Sequence, residues 1–383
     1  MARDAARDES IDTLRGAVMV LMALDHARDF IGAHGVSPTD LAHTNVPLFF
    51  TRWVTHYCAP VFVLLAGVSA WLAGRARRPG EASRLLLTRG LWLVVLELTV
   101  VRFGWLFNVN YRFSFVQVIW AIGWSMVALA ALTRLGPRAC AAVGATMILA
   151  HNAFDHVHAA DLGDAAWLWR VLHEPGRLEP LPGHRVYIAY PLVPWIGVMA
   201  LGFGLGPLLQ RDLAARRRAL LSLGAALTLA FVVLRAVNRY GDPEPWIVPA
   251  RPAFAALSFL NTTKYPPSLA YLLMTLGPAL LAWGALSGRA LPRTASLRTF
   301  GRVPLFYYVL HLPLLHALAG VWVIARGGWS AVEAASRSEN GAGGSLPTVY
   351  ALWLLGLALL LPACRWFDGV KARHRGAWWT HYT

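Results

Sequence analysis

The chain has 383 residues, of which 57% are hydrophobic and only 14% charged, with a mean hydropathy of +0.48. Soluble domains carry roughly 25% charged residues, so this composition excludes an ordinary soluble domain and indicates a polytopic membrane protein. The formal net charge of +15 is distributed between hydrophobic segments, not gathered into one patch, which argues for a topological signal and against a nucleic-acid partner.

Apolar windows of about 20 residues, enough to cross a bilayer, fall at 12–33, 46–74, 85–107, 114–135, 137–154, 186–208, 218–238, 266–288, 299–325 and 345–364. The pattern predicts an all-α fold: a polytopic transmembrane helical bundle of about ten spans, forming one domain over residues 1–383. In the first segment the apolar run Ala17–Leu24 leads into Asp25-His26-Ala27-Arg28-Asp29, with no small-residue cleavage site, so the segment is expected to stay as a membrane helix. The fifth segment is shortened by Pro137 and His151. Connections at about 155–185, 239–265 and 327–344 exceed the usual few residues between bundle helices and suit binding surfaces or lids; plain capping of the bundle is the competing explanation.

The positive-inside rule orients the bundle. With both termini cytoplasmic, twenty Lys and Arg fall on the inner side, including Arg3, Arg7, Arg75, Arg293, Arg302 and Arg375, against nine outside. The outer loops also hold compensating acids such as Asp155, Glu174 and Asp242. Cys58, Cys140 and Cys364 lie within or at the inner ends of segments and give no disulfide framework and no Cys-x-x-Cys spacing.

Charge inside a bilayer is costly and persists where it faces a cavity, pairs, or carries chemistry. On a helix Arg15, Met19, Met22, His26 and Asp29 share a stripe, with Asp25 at its edge. His26 stands about 21 Å above Asp12 at 1.5 Å per residue, in the outer half of the membrane. Arg52 and His56, four apart, enter the second segment from outside at the same depth, and consecutive helices tend to be neighbours. One reading is a general-base or nucleophilic histidine, His26, oriented by Asp25 or Asp29, with Arg52 steadying an oxyanion and His56 assisting. The other is a salt-bridge network that holds two helices together.

Further candidates are spread along the chain. Glu97 with Arg102 five residues on suggests a helix–helix pair more than a proton relay. Gln117, followed by Trp120 and Trp124, reads mainly as packing and interface anchoring. Asn261, Lys264 and Tyr265 suit an anionic or sugar substrate or a helix cap, and Tyr308 and His311 follow Arg302 in the ninth segment. The run from His151 to His158 is rich in metal-ligand types, but a zinc site needs a defined set of three or four. An interfacial histidine cluster is the stronger reading there, and no metal is expected.

The string Ser10-Ile11-Asp12-Thr13-Leu14-Arg15-Gly16, running on to Asp29, carries a resemblance. So do Arg52-Trp53-Val54-Thr55-His56, Gln117-Val118-Ile119-Trp120, Tyr190 to Met199, and Phe300 to His311. Together they resemble bacterial membrane proteins with the heparan-α-glucosaminide N-acetyltransferase catalytic-type domain, in the transmembrane acyltransferase superfamily. The resemblance implies a multipass enzyme of the bacterial inner membrane that takes an acyl group, acetyl in the lysosomal relative, from cytoplasmic acyl-CoA. An extracytoplasmic glycan or small-molecule amine or hydroxyl acceptor would receive it. Acyl-CoA is then a co-substrate and nothing is bound permanently. A histidine acts as base or acyl carrier; since the lysosomal relative's key histidine lies further along the first loop, His34 and His43 are eligible beside His26. On this reading Asp25, Asp29 and His56 complete the catalytic group, and Arg15, Arg28, Arg52, Gln117, Lys264, Arg302, Tyr308 and His311 bind substrates. The partners are the lipid bilayer, acyl-CoA and the acceptor, with no nucleic acid and a homodimer allowed. A transporter or flippase for a small solute or lipid-linked sugar, gated by the same charges, is the reading from another class. A non-catalytic scaffold or sensor is a third.

Overall fold

A computed structural model describes residues 9–75, 77–248, 251–289, 294–337, 341–374 and 376–382. Arg3, Arg7, Arg293 and Arg375 of the inner charge set lie outside these residues. In chain order the helices begin with α1 (Glu9–Ile31), α2 (Val46–Thr55), α3 (Cys58–Arg75), α4 (Pro79–Leu96) and α5 (Arg102–Leu106). Strand β1 (Phe113–Val116) leads into α6 (Val118–Leu132), α7 (Pro137–Ala150) and α8 (Ala166–Leu172). The hairpin β2 (Gly176–Leu181) and β3 (His184–Ile188) then precedes α9 (Leu192–Leu205), α10 (Leu213–Val237) and α11 (Ala255–Leu260). The chain closes with α12 (Leu269–Leu286), α13 (Ala295–Arg302), α14 (Pro304–Arg337) and α15 (Leu346–Arg373).

Every one of the ten apolar windows contains helix, and seven helices or joined helices among the described residues are long and apolar enough to cross a membrane. The other three windows have visible reasons to fall short. α1 carries charge at both ends, α4 breaks into a π-helical turn at Glu97–Val101, and α7 is only 14 residues long. α10 and α15 are buried over only 22% and 17% of their apolar windows, and turn Leu229, Val233 and Leu354 outward. Exposed aliphatic faces of this kind belong against lipid, since water would penalise them.

The all-α expectation needs one correction. A three-stranded sheet of order β1-β3-β2 sits among the loops, β1 parallel to β3 and β2 antiparallel to it. Phe113 pairs with Arg185 and Val116 with Ile188. Phe113, Phe115 and Val116 of β1 and Val186, Tyr187 and Ile188 of β3 are aromatic or β-branched, as pleated surfaces favour. β1 and β3 lie far apart in sequence, so hydrophobic periodicity merged β1 with α6 and the end of β3 with α9.

α1 is the hub. It packs against α2, α3, α12, α13, α14 and α15, which is why its apolar residues face all directions and not one stripe. Its approach to α13 depends on two missing side chains. A Cβ on Gly16 would stand 1.8 Å from the Leu297 carbonyl oxygen, and one on Gly301 would stand 1.9 Å from that of Asp12. Small residues at crossings of this type let membrane helices approach backbone to backbone. The contact seats Arg15, which donates to the Gly301 carbonyl at 3.0 Å and to Ser69 at 2.9 Å.

The two ends of the bundle differ. One gathers the long connections: Arg251 donates to the carbonyls of Leu41 and Ala42, and Asn261 to that of Thr39. The opposite, arginine-rich end joins Arg298 to Glu9 and Arg302 to Asp12 and Asp368. Cys58, Cys140 and Cys364 are all buried and unbridged.

Candidate functional site

The loop-rich ends of α1, α2 and α14 converge on a buried polar chamber. His26 is 7% exposed, and its Nδ1 lies 2.7 Å from Nε2 of His311 on α14, the rings stacked at 4.9 Å. His311 Nδ1 faces the carbonyl oxygens of Tyr308 at 2.7 Å and Tyr307 at 3.1 Å. Carbonyls only accept, so the His311 proton resides on Nδ1 and its Nε2 is the acceptor. His26 therefore donates from Nδ1, which leaves Nε2 of His26 with a lone pair. Second groups commonly fix an imidazole tautomer in this way.

Asp25 does not orient His26. Its carboxylate takes Arg52 Nη1 at 2.7 and 2.5 Å and Arg28 Nη2 at 3.0 Å, with Lys264 Nζ at 3.9 Å. Arg28 also holds Asp29 at 2.5 Å. The expected Asp–His pairing is thus replaced by a salt-bridge network, because adjacent residues on a helix point 100° apart and Asp25 turns to α2 while His26 turns to α14. Arg52 is committed to Asp25, which removes the reason to give it an oxyanion. His56 is 3% exposed; its Nδ1 is unpartnered, its carbonyl accepts from Tyr271 at 2.7 Å, and it shares a cavity wall with Arg28, Arg52 and Lys264.

His34 and His43 stand outside this chamber. His34 bonds to the Asp29 carbonyl at 2.6 Å, and His43, with its side chain 70% exposed, to Asp40 at 2.6 Å. That His43 hydrogen bond holds the Asp40 carboxyl below the usual carboxylate range.

Two cavities flank the chamber. The one at the loop-rich end has a volume of about 480 Å³ and a polar wall that includes Arg28, Asp40, Arg52, His56, Asn261 and Lys264. The other, about 290 Å³, opens toward the arginine-rich end and is lined by Arg15, Ser69, Arg89, Arg302, Lys371 and apolar residues of α3, α4 and α6. Tyr308 lines this second cavity, and its ring stands 6.4 Å from that of His26. Arg89 repels Arg15 electrostatically and its Nε is buried without a partner, whereas Arg15 and Arg302 pair with Asp12, and Arg302 also with Asp368.

Trp105 and Tyr308 beside His26, and Gln117 next to Glu97, carry unspent donors. The Trp105 ring lies edge-on to that of His26 at 4.9 Å, and the buried Trp105 Nε1, Tyr308 hydroxyl and Gln117 Nε2 have no hydrogen-bond partner. Glu97, fully buried in the π-helical turn, accepts from the Gln117 backbone N–H at 2.9 Å through Oε1, while Oε2 is unpartnered. The expected Glu97–Arg102 pair does not form. Arg102 instead donates to the Phe113 and Asn108 carbonyls and to the Ser114 hydroxyl, anchoring β1. Unsatisfied buried donors are rare in folded chains and concentrate where a ligand supplies the missing acceptor.

Of the residues singled out from sequence, the fold brings His26, His311 and Tyr308 together, and joins Asp25, Arg28, Arg52 and Lys264 in the adjoining ion cluster. Arg15 and Arg302 line the cavity at the arginine-rich end. Trp105 and Arg89 were missed. An aromatic inside an apolar segment looks like packing, and a lone arginine mid-segment offers no local partner that marks it.

The family model described as heparan-alpha-glucosaminide N-acetyltransferase, catalytic, matches residues 7–237. No curated protein matches the chain. Tyr308 and His311 lie beyond the matched stretch, yet the fold closes them onto its first helix.

Proposed function

The chain belongs to the heparan-alpha-glucosaminide N-acetyltransferase catalytic family, and from that premise we propose that it is a membrane-embedded acyltransferase. It moves an acyl group, acetyl by family, from cytoplasmic acyl-CoA to an amine or hydroxyl acceptor on the far side of a bacterial inner membrane. The observation that carries this reading is the lone pair on His26 Nε2, beside Tyr308, which lines one cavity, and next in sequence to Asp25, whose partners Arg28, Arg52 and Lys264 line the other. Both termini are then cytoplasmic and the ten helical segments all cross, with the arginine-rich end inside as the charge bias requires.

The donor enters from the arginine-rich end. Arg15, Arg89, Arg302 and Lys371 meet its phosphates, and the apolar wall accommodates the pantetheine arm. The thioester carbonyl reaches Tyr308 and Trp105, whose unspent O–H and N–H donate to its oxygen as negative charge develops. The acceptor occupies the polar cavity beside Arg28, Arg52 and Lys264. His26 Nε2 removes the acceptor proton as the new C–O or C–N bond forms; the C–S bond breaks, His26 returns that proton to the sulfur, and coenzyme A leaves as thiol. His311 receives the His26 Nδ1–H and steadies the imidazolium. Asp25 fixes the cations of the acceptor wall.

The test is a sided one. Purified protein in sealed vesicles, with labelled acetyl-CoA presented at the arginine-rich face and a panel of amino sugars and polyols on the other, is expected to label an acceptor only on the opposite side. Two cavities approaching from opposite ends also describe an alternating-access transporter. Saturable movement of the acceptor across the vesicle wall without any donor would transfer the argument to that reading.

A further inference from the structure

Away from the chamber, the fold completes a constellation that the sequence leaves open. His151 lies in the 3₁₀ turn that ends α7, Asp155 follows it, and His173 caps α8. One ligand atom from each falls within 4.8 Å of the others. Sequence spacing expects no metal here because the local run lacks a defined set. The third member arrives from α8, across a tertiary contact that spacing does not report.

Two features distinguish this group from a plain histidine cluster. His151 is 2% exposed, yet neither of its ring nitrogens makes a well-formed hydrogen bond; the Pro267 backbone is the polar group that faces the ring. A buried imidazole left in that state is unusual in a folded chain. The other two side chains are held in place by surrounding groups. Asn152 Nδ2 grips Asp155 Oδ2 at 2.8 Å, leaving Oδ1 directed toward His173 Nε2 at 3.7 Å. The His173 ring stacks on Trp169 at 4.8 Å with planes 6° apart, and the Trp169 Nε1 is tied to the Val157 carbonyl. Outer partners that fix ligand orientation are the usual accompaniment of a metal centre.

We propose that His151, Asp155 and His173 bind a divalent ion of the zinc class at the loop-rich face. Two imidazoles and one carboxylate suit zinc or its neighbours and do not suit calcium or magnesium, which require oxygen ligands. Zinc–ligand bonds of about 2.0–2.1 Å place tetrahedral ligands about 3.4 Å apart, so binding draws the three groups together by about 1 Å. To ligate through Nε2, His173 gives up the Nε2–H it donates to the His151 carbonyl at 2.8 Å and carries its ring proton on Nδ1 instead. Water takes the fourth position on the side of Asp155, whose side chain is 20% exposed. The ion is a staple. It joins the end of α7 to α8, and Asn152 extends the tie to α12 by accepting from the Leu269 N–H at 2.9 Å. This proposal is independent of the acyltransferase reading.

The experiment uses the full chain in detergent, freed of any polyhistidine tag and stripped with a chelator. Cobalt(II) is titrated as the spectroscopic probe, then zinc is added. The expected result is a visible d–d absorption of four-coordinate strength that saturates at a stoichiometric amount of cobalt and disappears on adding zinc. Zinc is also expected to raise the melting temperature of the wild type, while magnesium does not. His173→Gln and Asp155→Asn should lose both the absorption and the zinc-dependent shift. The Asp155→Asn protein, which keeps an amide of the same shape against Asn152, guards against a folding artefact. A wild-type cobalt spectrum no stronger than that of Asp155→Asn, or an equal zinc shift in wild type and both variants, would overturn the proposal.

Discussion

Replacing His311 by Phe tests how the chamber sets the state of His26. The ring keeps its size and stacking, but the acceptor 2.7 Å from His26 Nδ1 disappears. Two costs follow. The Nδ1–H of a buried imidazole loses its partner, worth about 1–3 kcal/mol when no other acceptor is in reach. The bond would also have strengthened as His26 became imidazolium, since charge-assisted hydrogen bonds are roughly twice as strong as neutral ones, adding about 1 kcal/mol in the transition state. The first cost is present in the resting enzyme as well and reads as lost stability; only the second, about 1 kcal/mol, is withdrawn from the transition state alone, which at about 1.36 kcal/mol per decade predicts a roughly 5-fold fall in kcat. KM for the donor should hold, because the loss is specific to the proton-transfer step. Acetyl transfer from labelled acetyl-CoA, measured on detergent-purified protein with its melting temperature recorded alongside, separates the two effects. A His311→Phe protein that melts like wild type and turns over at the wild-type rate would refute the tautomer argument.

Further substitutions probe the other parts of the account. Asp25→Asn strands Arg52 and Arg28 around an uncharged amide and should cost about 3–5 kcal/mol of stability, the range for breaking a buried ion pair; Asp29→Asn, at a carboxylate 37% exposed, should cost no more than about 1 kcal/mol. Thermal unfolding of the pair in one detergent compares them directly, and equal shifts would dissolve the distinction. Arg89→Ala should raise the donor KM about 10- to 100-fold with kcat unchanged, the signature of lost phosphate binding worth about 1.5–3 kcal/mol. Tyr308→Phe should do the reverse, lowering kcat about 100-fold at constant KM, as removal of one oxyanion donor does. Gly16→Ala adds a methyl 1.8 Å from the Leu297 carbonyl; forcing α1 from α13 should destabilise by about 1–3 kcal/mol, read as a lower melting temperature.

The helical bundle was legible because an apolar run of bilayer length can satisfy its backbone only as helix or closed barrel. Each of the ten windows therefore found its helix, including α7 despite its length. The sheet was not legible, since Phe113–Val116 meets His184–Ile188 across three intervening helices, α6, α7 and α8. At the site, depth and helical spacing grouped His26 with Arg52 and His56. They did not reveal direction. Periodicity within α1 cannot say that Asp25 faces α2 and His26 faces α14, because that choice is made by packing of the hub against helices hundreds of residues away. His311 was visible as a candidate, but its role as acceptor for His26 depends on a contact across 285 residues. Trp105 was invisible for a different reason: its chemistry resides in an unpaired N–H, and sequence carries no record of which donors end unpaired.

The most direct test of the central claim compares His26→Ala with wild type in a single assay, following both donor hydrolysis and transfer of labelled acetyl to amino-sugar and polyol acceptors. The account predicts turnover by the wild type and none above background by a variant that melts within a few degrees of it. Wild-type-like transfer by folded His26→Ala protein would contradict it and take His26 out of the chemistry.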